Sequence, residues 1–462
     1  MGLAVASNYY AQPLLPEISK DLHLSPAVSG LIVTAAQVGY ALGLIFLLPL
    51  GDLLERRRLV VTLAAGSSLA LVLLGTAPTG AVLLPAAVLV GLLSVLAQII
   101  VPFAATLAHP HERGRVVGLV MSGLVIGILL ARAVAGLLAA VGGWRLVYFV
   151  AAGALAAQAV VLARSLPRSK GDTTVGYRGA LRSVWRFVRD EPVLRLRAVY
   201  GLLSFASFSV LWTSIAFLLA HNFHYSVGVI GVFGLAGAGG AAAATVAGRL
   251  SDRGWAHWST GVTTAVLTIS WLALWLGIRS VALLVVGIVL LDVGAQGVHI
   301  TNQGAIYALA PDARSRINSA YMTFYFAGGA AGSALSAAVY SAAGWGGVCL
   351  LGVGFAALSF AVWLFADRSP AAAGAAIPGA AGAVAIAAAA AAAPIPGAGA
   401  AAIAAAAAAV PIPAAASPAQ PAPAVVGGAA PASAAVPASA AARVPAPVTT
   451  DPPHQRGRPQ RR

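Results

Sequence analysis

The sequence predicts an all-α integral membrane protein: twelve transmembrane helices in two six-helix, pseudo-symmetric bundles. Three observations carry that expectation. Apolar runs of about 20 residues, enough for a helix to cross roughly 30 Å of hydrocarbon, recur along most of the chain. None shows the alternating polarity of a strand barrel, and open sheet is excluded in lipid by its unpaired backbone groups. Two charged turns, Gly51-Asp52-Leu53-Leu54-Glu55-Arg56-Arg57-Arg58 and Gly248-Arg249-Leu250-Ser251-Asp252-Arg253-Gly254, repeat a glycine, a leucine, an acid and an arginine at the same offsets. That recurrence points to one membrane unit present in two copies.

The apolar runs lie at 1–16, 29–50, 59–77, 81–108, 116–140, 146–163, 198–219, 227–247, 259–277, 281–308, 318–341 and 347–366. The first is short, and Met1 is expected to be a truncated or misassigned start, with no cleavable leader evident. The organisation expected is an N-terminal six-helix bundle over 1–163, a cytoplasmic linker over 164–197, a C-terminal six-helix bundle over 198–366, and a disordered tail over 367–462. Within the linker, Val184, Trp185 and Val188 alternate with Arg182, Arg186 and Arg189. That pattern fits either a helix lying on lipid headgroups or a solvated connector. The tail is rich in alanine broken by proline, which prevents a continuous spanning helix.

The formal charge of +15 would suggest nucleic acid in a soluble chain. Here the arginines stand between apolar runs, so the charge reads as topology and no nucleic-acid partner is expected. Arg56, Arg57, Arg58, Arg113, Arg115, Arg249, Arg253, Arg314, Arg316, Arg368 and the linker arginines fall on one side. The other side has Lys20, Arg145 and Arg279, with Glu17 and Asp21 beside the lysine. The positive-inside rule makes the arginine-rich face cytoplasmic and places both termini there, in a multi-pass protein of the cytoplasmic (inner) membrane. The single cysteine, Cys349, permits no internal disulfide.

These features resemble the Major Facilitator Superfamily: six plus six spans, a long middle loop, and a Gly-x-Leu-x-Asp-Arg signature after spans two and eight. The copy at Gly248–Gly254 matches closely; that at 51–58 has Glu55 where Asp is usual and Arg58 near the expected glycine. The turns Gly143-Trp144-Arg145 and Gly344-Trp345 agree as well. With Asn8-Tyr9-Tyr10-Ala11-Gln12-Pro13 and Pro49-Leu50-Gly51-Asp52, the pattern is most similar to bacterial inner-membrane permeases of the drug:proton antiporter type. Two departures stand out. Span four reads Ser94-Val95-Leu96-Ala97-Gln98 without the arginine such exporters carry. Span five has Ala131-Arg132 where a glycine pair is usual.

Charge inside hydrocarbon is costly and usually faces a cavity or a partner. Arg132 in span five and Asp292 in span ten lie at compatible depths, so a direct Arg132–Asp292 interaction between the halves is expected, with local backbone bonding of Arg132 as the rival. Asp292, Gln296, His299 and Gln303 follow at spacings of four, three and four, which puts them on one helix face, with Asn302 nearby. That face reads as a cavity lining or an interhelical polar clamp, and the resemblance implies that spans one, four, seven and ten line a central cavity. Asn8, Gln12, Gln37 and Gln98 add polar groups in the first half, and Trp212 an aromatic wall. The Gly39/Gly43 and Gly123/Gly127 pairs, with Gly228, Gly231 and Gly234, read as sites of close helix approach. The resemblance places spans two, five, eight and eleven at the seam between halves. In the charged turns, Gly51, Asp52, Glu55, Arg56, Arg57, Gly248, Arg249, Asp252 and Arg253 read as a cytoplasmic latch or as topology signals.

The function expected is secondary active transport of a small organic solute by alternating access, as proton-coupled efflux of drugs or metabolites. A sugar or nutrient uptake symporter or facilitator is the alternative. No Gly-x-x-x-x-Gly-Lys-Ser/Thr loop for ATP, His-Glu-x-x-His or Gly-x-Ser-x-Gly occurs, so no enzyme, metal site or cofactor is expected. Asp292 is the first candidate for the group that takes up a proton, and His299 the second. The expected partners are the solute, protons and the lipid bilayer, with the chain working as a monomer.

Overall fold

A computed structural model describes residues 1–109, 112–168, 176–238, 240, 246–250, 253–309 and 314–366. The tail 367–462 and Asp252 of the second charged turn lie outside the described residues, and Asp52 is described in its backbone alone. In chain order the α-helices are α1 Gly2–Ala6, α2 Ala11–Asp21, α3 Pro26–Phe46, α4 Leu50–Leu53, α5 Arg56–Gly75, α6 Gly80–Ser94, α7 Leu96–Leu107 and α8 Arg113–Ser165. They continue as α9 Tyr177–Asp190, α10 Pro192–His221, α11 Val227–Val232, α12 Ala256–Leu276, α13 Val281–Leu309 and α14 Arg314–Ala366. Eight helical runs among the described residues are long and apolar enough to cross a membrane.

Local chemistry sets several boundaries. Ser25 caps α3 by accepting from Val28 N at 3.3 Å, with Pro26 in the first turn where its missing N–H costs nothing. α8 and α14 each run for 53 residues, about 80 Å at 1.5 Å per residue, far more than one bilayer thickness. Each is two helices joined across a kink, at Gly142–Gly143 and at Gly344. Gly143 (φ 75°) and Gly344 (φ 62°) adopt the left-handed conformation that glycine takes without a Cβ penalty. These are the two glycine–tryptophan turns of the sequence.

The first helix is interrupted at the residues between α1 and α2. There Asn8 N bonds Val5 O at 3.2 Å, Tyr9 N bonds Ala6 O at 2.9 Å, and Gln12 N reaches Tyr9 O at 3.4 Å. Pro13 has no N–H to offer Tyr9 O, so the α-helical bond at that point cannot form. The break between α6 and α7 packs beside it, and Ser7 Oγ and Ser94 Oγ are 2.8 Å apart. A third irregular stretch, the 3₁₀ turn Phe233–Gly237, follows α11.

The core is built around α10, where every residue from Tyr200 to Leu219 is buried. Several of its hydroxyls bond to neighbouring helices. Ser207 Oγ donates to Gly352 O at 3.1 Å and accepts from Trp271 Nε1 at 2.8 Å, while Ser214 Oγ meets Ser336 Oγ at 2.6 Å. α3 packs along α14, with Thr34 Oγ1 donating to Ser333 Oγ at 3.1 Å and Ser319 Oγ to Leu44 O at 2.9 Å. α8 meets α11 through glycines: a Cβ on Gly231 would lie 2.6 Å from Arg132 O and 2.8 Å from Gly136 Cα.

Four sequence expectations are refined. Arg197, placed at the end of the expected linker 164–197, belongs to buried α10, because Pro192 starts that helix six residues before the apolar run. Gly39 and Gly43 admit the α6 backbone at Val88 and Leu92, so they serve packing inside the first half. Gly127 packs on Gly2, whereas a Cβ on Gly123 would meet nothing within 4 Å. The linker segment forms α9, which turns Val184, Phe187 and Val188 onto the protein and leaves Trp185 68% exposed.

Candidate functional site

Arg132 and Asp292 are both buried, at 3% and 4% exposure. Among the described residues no ion pair joins them, contrary to the direct contact expected from depth. Trp212 of α10 stands between. Its Nε1 donates to Asp292 Oδ1 at 3.2 Å, while its ring carries the Arg132 guanidinium with Cζ 3.9 Å from the centroid. Tyr9 and Phe208 complete an aromatic cage at 4.9 and 5.9 Å, and Arg132 Nε donates to Gln12 Oε1 at 2.6 Å. An aromatic ring face attracts a cation most strongly when both are desolvated.

Missing side chains make room for this arrangement. A Cβ on Gly234 would lie 2.5 Å from Arg132 Cβ, and one on Gly237 would collide with Asp292 Oδ2. Gly240 leaves 3.0 Å for Gln296 Cγ. The 3₁₀ stretch after α11 thus presses its bare backbone against both charges.

The α13 stripe divides between roles. Asp292 meets Trp212, and Gln296 and Gln303 are half-buried on the same face. His299 Nδ1 lies 3.2 Å from Tyr321 OH, and its ring is 4.6 Å from that of Tyr325. Asn302 has turned into an interhelical clamp. Its Nδ2 donates to Arg197 O at 3.2 Å, while Arg197 Nη1 donates to Thr260 Oγ1 at 2.9 Å and more weakly to Asn302 Oδ1 at 3.5 Å.

Gln37 and Gln98 of the first half reach the second. Gln37 Nε2 donates to Ser209 Oγ at 3.1 Å. Gln98 Nε2 donates to Tyr40 OH at 3.2 Å, and Asn318 Nδ2 approaches Gln98 Oε1 at 3.5 Å. Asn8 Oδ1 and Arg132 Nη2 are buried without a hydrogen-bond partner among the described residues. Phe205 stacks on Tyr325 with centroids 3.9 Å apart, extending the aromatic wall from Trp212 towards His299.

Tyr9, Phe208, Tyr325 and Arg197 join the site although the sequence gives none of them a place in it. Phe208 stands four residues before Trp212 and so on the same face, and Pro192 after Glu191 marks the start of the helix that buries Arg197. Tyr9 and Tyr325 carry no comparable signal.

The first charged turn makes local contacts. Glu55 pairs with Arg58 at 3.2 Å, and Arg56 donates to Gly51 O and Thr106 Oγ1, each at 3.2 Å. Arg57 donates to Ala163 O in the last turn of α8, where a cation complements the helix dipole. All these partners lie within 1–163. In the second turn, Arg253 N bonds Arg249 O at 3.3 Å, and Gly248 would place a Cβ 3.7 Å from Ile300.

At the opposite ends of the helices, Glu17, Lys20, Asp21, His23, Trp144 and Arg145 line a cavity of about 500 Å³. Trp144 N donates to Glu17 Oε1 at 3.2 Å, Trp144 Nε1 donates to Asp21 Oδ2 at 3.0 Å, and Arg145 pairs with the same Asp21 oxygen. The bonds from Arg145 and Trp144 hold the Asp21 carboxyl below the usual aspartate range. Burial pushes Glu17 the other way, against the opposing bond from Trp144 N.

The sequence matches the model of the Major Facilitator Superfamily over residues 1–277 and 197–386. It is 53% identical over 374 residues to an uncharacterized transporter, YgaY, of Escherichia coli O157:H7, covering 78% of this chain and 92% of that one. It is 33% identical over 350 residues to the probable transporter SCO4007 of Streptomyces coelicolor, covering 75% and 81%. Among solved structures, an inward-facing, occupied bacterial homologue of the human lysosomal transporter Spinster superposes with a TM-score of 0.66 at 17% identity, over 81% of this chain and 96% of that one. The human organic anion transporter MFSD10 gives 0.60 at 20% identity, over 78% and 97%. At these identities the structural likeness concerns the fold.

Proposed function

Because the chain belongs to the Major Facilitator Superfamily and is a multi-pass membrane transporter, not an enzyme, we propose that it exports a small organic solute by alternating access, coupled to protons. The single observation that carries this reading is the buried Arg132–Trp212–Asp292 assembly, where two charges are held among helices from both halves of the sequence. Ionisable groups in such positions mark solute and ion pathways. Asp292 takes up and releases the proton, and Gln12, Gln37, Gln98, Gln296, His299 and Gln303 line the path with Asn8. Asn302 steadies the helix that bears Asp292. The twelve helices form two bundles that rock about the close glycine contacts, with the charged turns and both termini on the cytoplasmic side of the inner membrane. The chain works as a monomer.

Exchange for protons is the form implied by the resemblance to drug:proton antiporters. A second reading, movement of solute and proton together, is favoured by the unpartnered Arg132 Nη2, across Trp212 from Asp292. Growth of deletion and overexpression strains on a panel of toxic compounds and sugars identifies a solute. That solute is then followed in reconstituted vesicles with an imposed pH gradient. Asp292→Asn is expected to abolish uphill movement while still reaching the membrane; undiminished uphill transport by that variant removes Asp292 from the mechanism. Interior acidification or alkalinisation on adding solute separates exchange from joint movement.

A further inference from the structure

Arg132 presents a planar fork of N–H donors. Nε is engaged by Gln12, the guanidinium face by Trp212, and Nη2 is buried with no acceptor. Buried donors in folded proteins are almost always paired, and Arg132 is only 3% exposed. Asp292 accepts from Trp212 Nε1 through Oδ1 and makes no ion pair with the guanidinium. The donor therefore lacks an oxygen, within a cage of Tyr9, Phe208 and Trp212. Asn8, one turn before Gln12, leaves a buried acceptor equally unused.

We infer that the solute is an organic monoanion: a carboxylate taken by Arg132 Nη2, on a flat apolar or aromatic body that lies against the three rings. This rests on the reading of Arg132, Trp212 and Asp292 as the solute site. A planar guanidinium suits a carboxylate better than a point charge does. With the anion bound, Arg132 and a charged Asp292 leave the site one unit negative, and a proton on Asp292 makes it neutral. Anion and proton therefore bind together. Among the described residues, the ionisable groups facing Asp292 from elsewhere in the fold are Arg132, Tyr9 and Tyr325, while His299 lies two turns along its own helix. Solute and proton then cross in the same direction, the second of the two readings above, and a proton gradient drives the solute along with the proton.

The test uses the purified full chain and calorimetric titration with benzoate, phenylacetate and indole-3-acetate, each against its primary amide. At least one acid is expected to bind about tenfold or more tightly than its amide, and more tightly at about pH 6 than at about pH 8, where these acids stay ionised. Arg132→Gln erases the acid preference and Arg132→Lys keeps part of it. Equal binding of acid and amide, failure of all three acids to bind, weaker binding at the lower pH, or an unchanged preference in Arg132→Gln overturns the inference. The acid–amide comparison in the unsubstituted chain does not depend on how the variants fold. Vesicles that move a neutral or cationic solute through Asp292 while no acid binds leave the transporter reading standing and remove this one. Acids that bind but are never driven uphill do the reverse.

Discussion

Trp212 donates its indole N–H to Asp292 at 3.2 Å while the same ring carries Arg132 at 3.9 Å, so one side chain couples two charges that make no ion pair. The substitution that separates the two contacts is Trp212→Phe, which keeps an aromatic face and deletes the donor. Losing one partner of a buried charged hydrogen bond costs about 1–3 kcal/mol. Trp212→Phe is therefore expected to lower the thermal midpoint and shift the pH profile of transport, and Trp212→Ala to do both more severely. A Phe variant with the original pH profile shows that the indole N–H does not tune Asp292.

Arg197 supplies a second, structural test. It is buried, and its bonds to Thr260 and Asn302 tie α10 to α12 and α13. Arg197→Ala removes the guanidinium bonds to Thr260 and Asn302 and the packing of a long side chain, while the bond from Asn302 Nδ2 to the carbonyl of residue 197 stays; a loss of about 2–4 kcal/mol is expected. Thermal unfolding in detergent should fall well below that of the parent, whereas Arg58→Ala, at an 80% exposed side chain, should change it little. Equal effects contradict a clamp at Arg197.

How much was legible in the sequence follows from what lipid forbids. A long apolar run must become a helix because nothing else satisfies its backbone, so the spans emerge without an alignment. Arg132 and Asp292 stand out for the same reason, since charge is costly at that depth. Azimuth is another matter. Residue spacing tells which groups share a face of one helix, but not how that helix is rotated against its neighbour. Depth therefore matches Arg132 with Asp292 and spacing offers Trp212 as an aromatic wall, but neither shows that the indole lies between the two charges. Gly39 and Gly43 were legible as points of close approach, yet only packing reveals that α6 is what approaches. Arg197 was hidden because an apolar run marks the membrane-buried part of α10, while Pro192 sets its start.

Opposite pH responses are expected from the two acids beside Trp144. Asp21 is held below the usual range by Arg145 and Trp144, so its contribution is present above the ordinary aspartate range and disappears as pH falls through its lowered value. The pair is solvent-exposed, so that contribution is about 1 kcal/mol or less at neutral pH. Glu17 is raised by burial, so its charge opposes folding at neutral pH and the penalty fades on acidification. Asp21→Asn should lower the thermal midpoint at about pH 7 and lessen its decline in acid, while Glu17→Gln leaves the neutral midpoint unchanged or higher. Midpoints that fall equally in both variants contradict this division.

The glycine contact between α8 and α11 predicts a sharp difference between two conservative substitutions. A methyl on Gly231 would sit 2.6 Å from Arg132 O and 2.8 Å from Gly136 Cα, and both obstacles are backbone. The helices must part to admit it, and overpacking of this kind costs about 1–3 kcal/mol. The displaced atom belongs to Arg132 itself, so the shift also moves the guanidinium off Trp212. Gly123 is on the same α8, but a methyl there meets nothing within 4 Å, and alanine favours a helix by about 1 kcal/mol over glycine. Gly231→Ala should therefore lose both stability and transport, whereas Gly123→Ala should keep its fold and gain slightly in thermal midpoint. If Gly231→Ala transports like the parent, close approach at this point is not needed for the site.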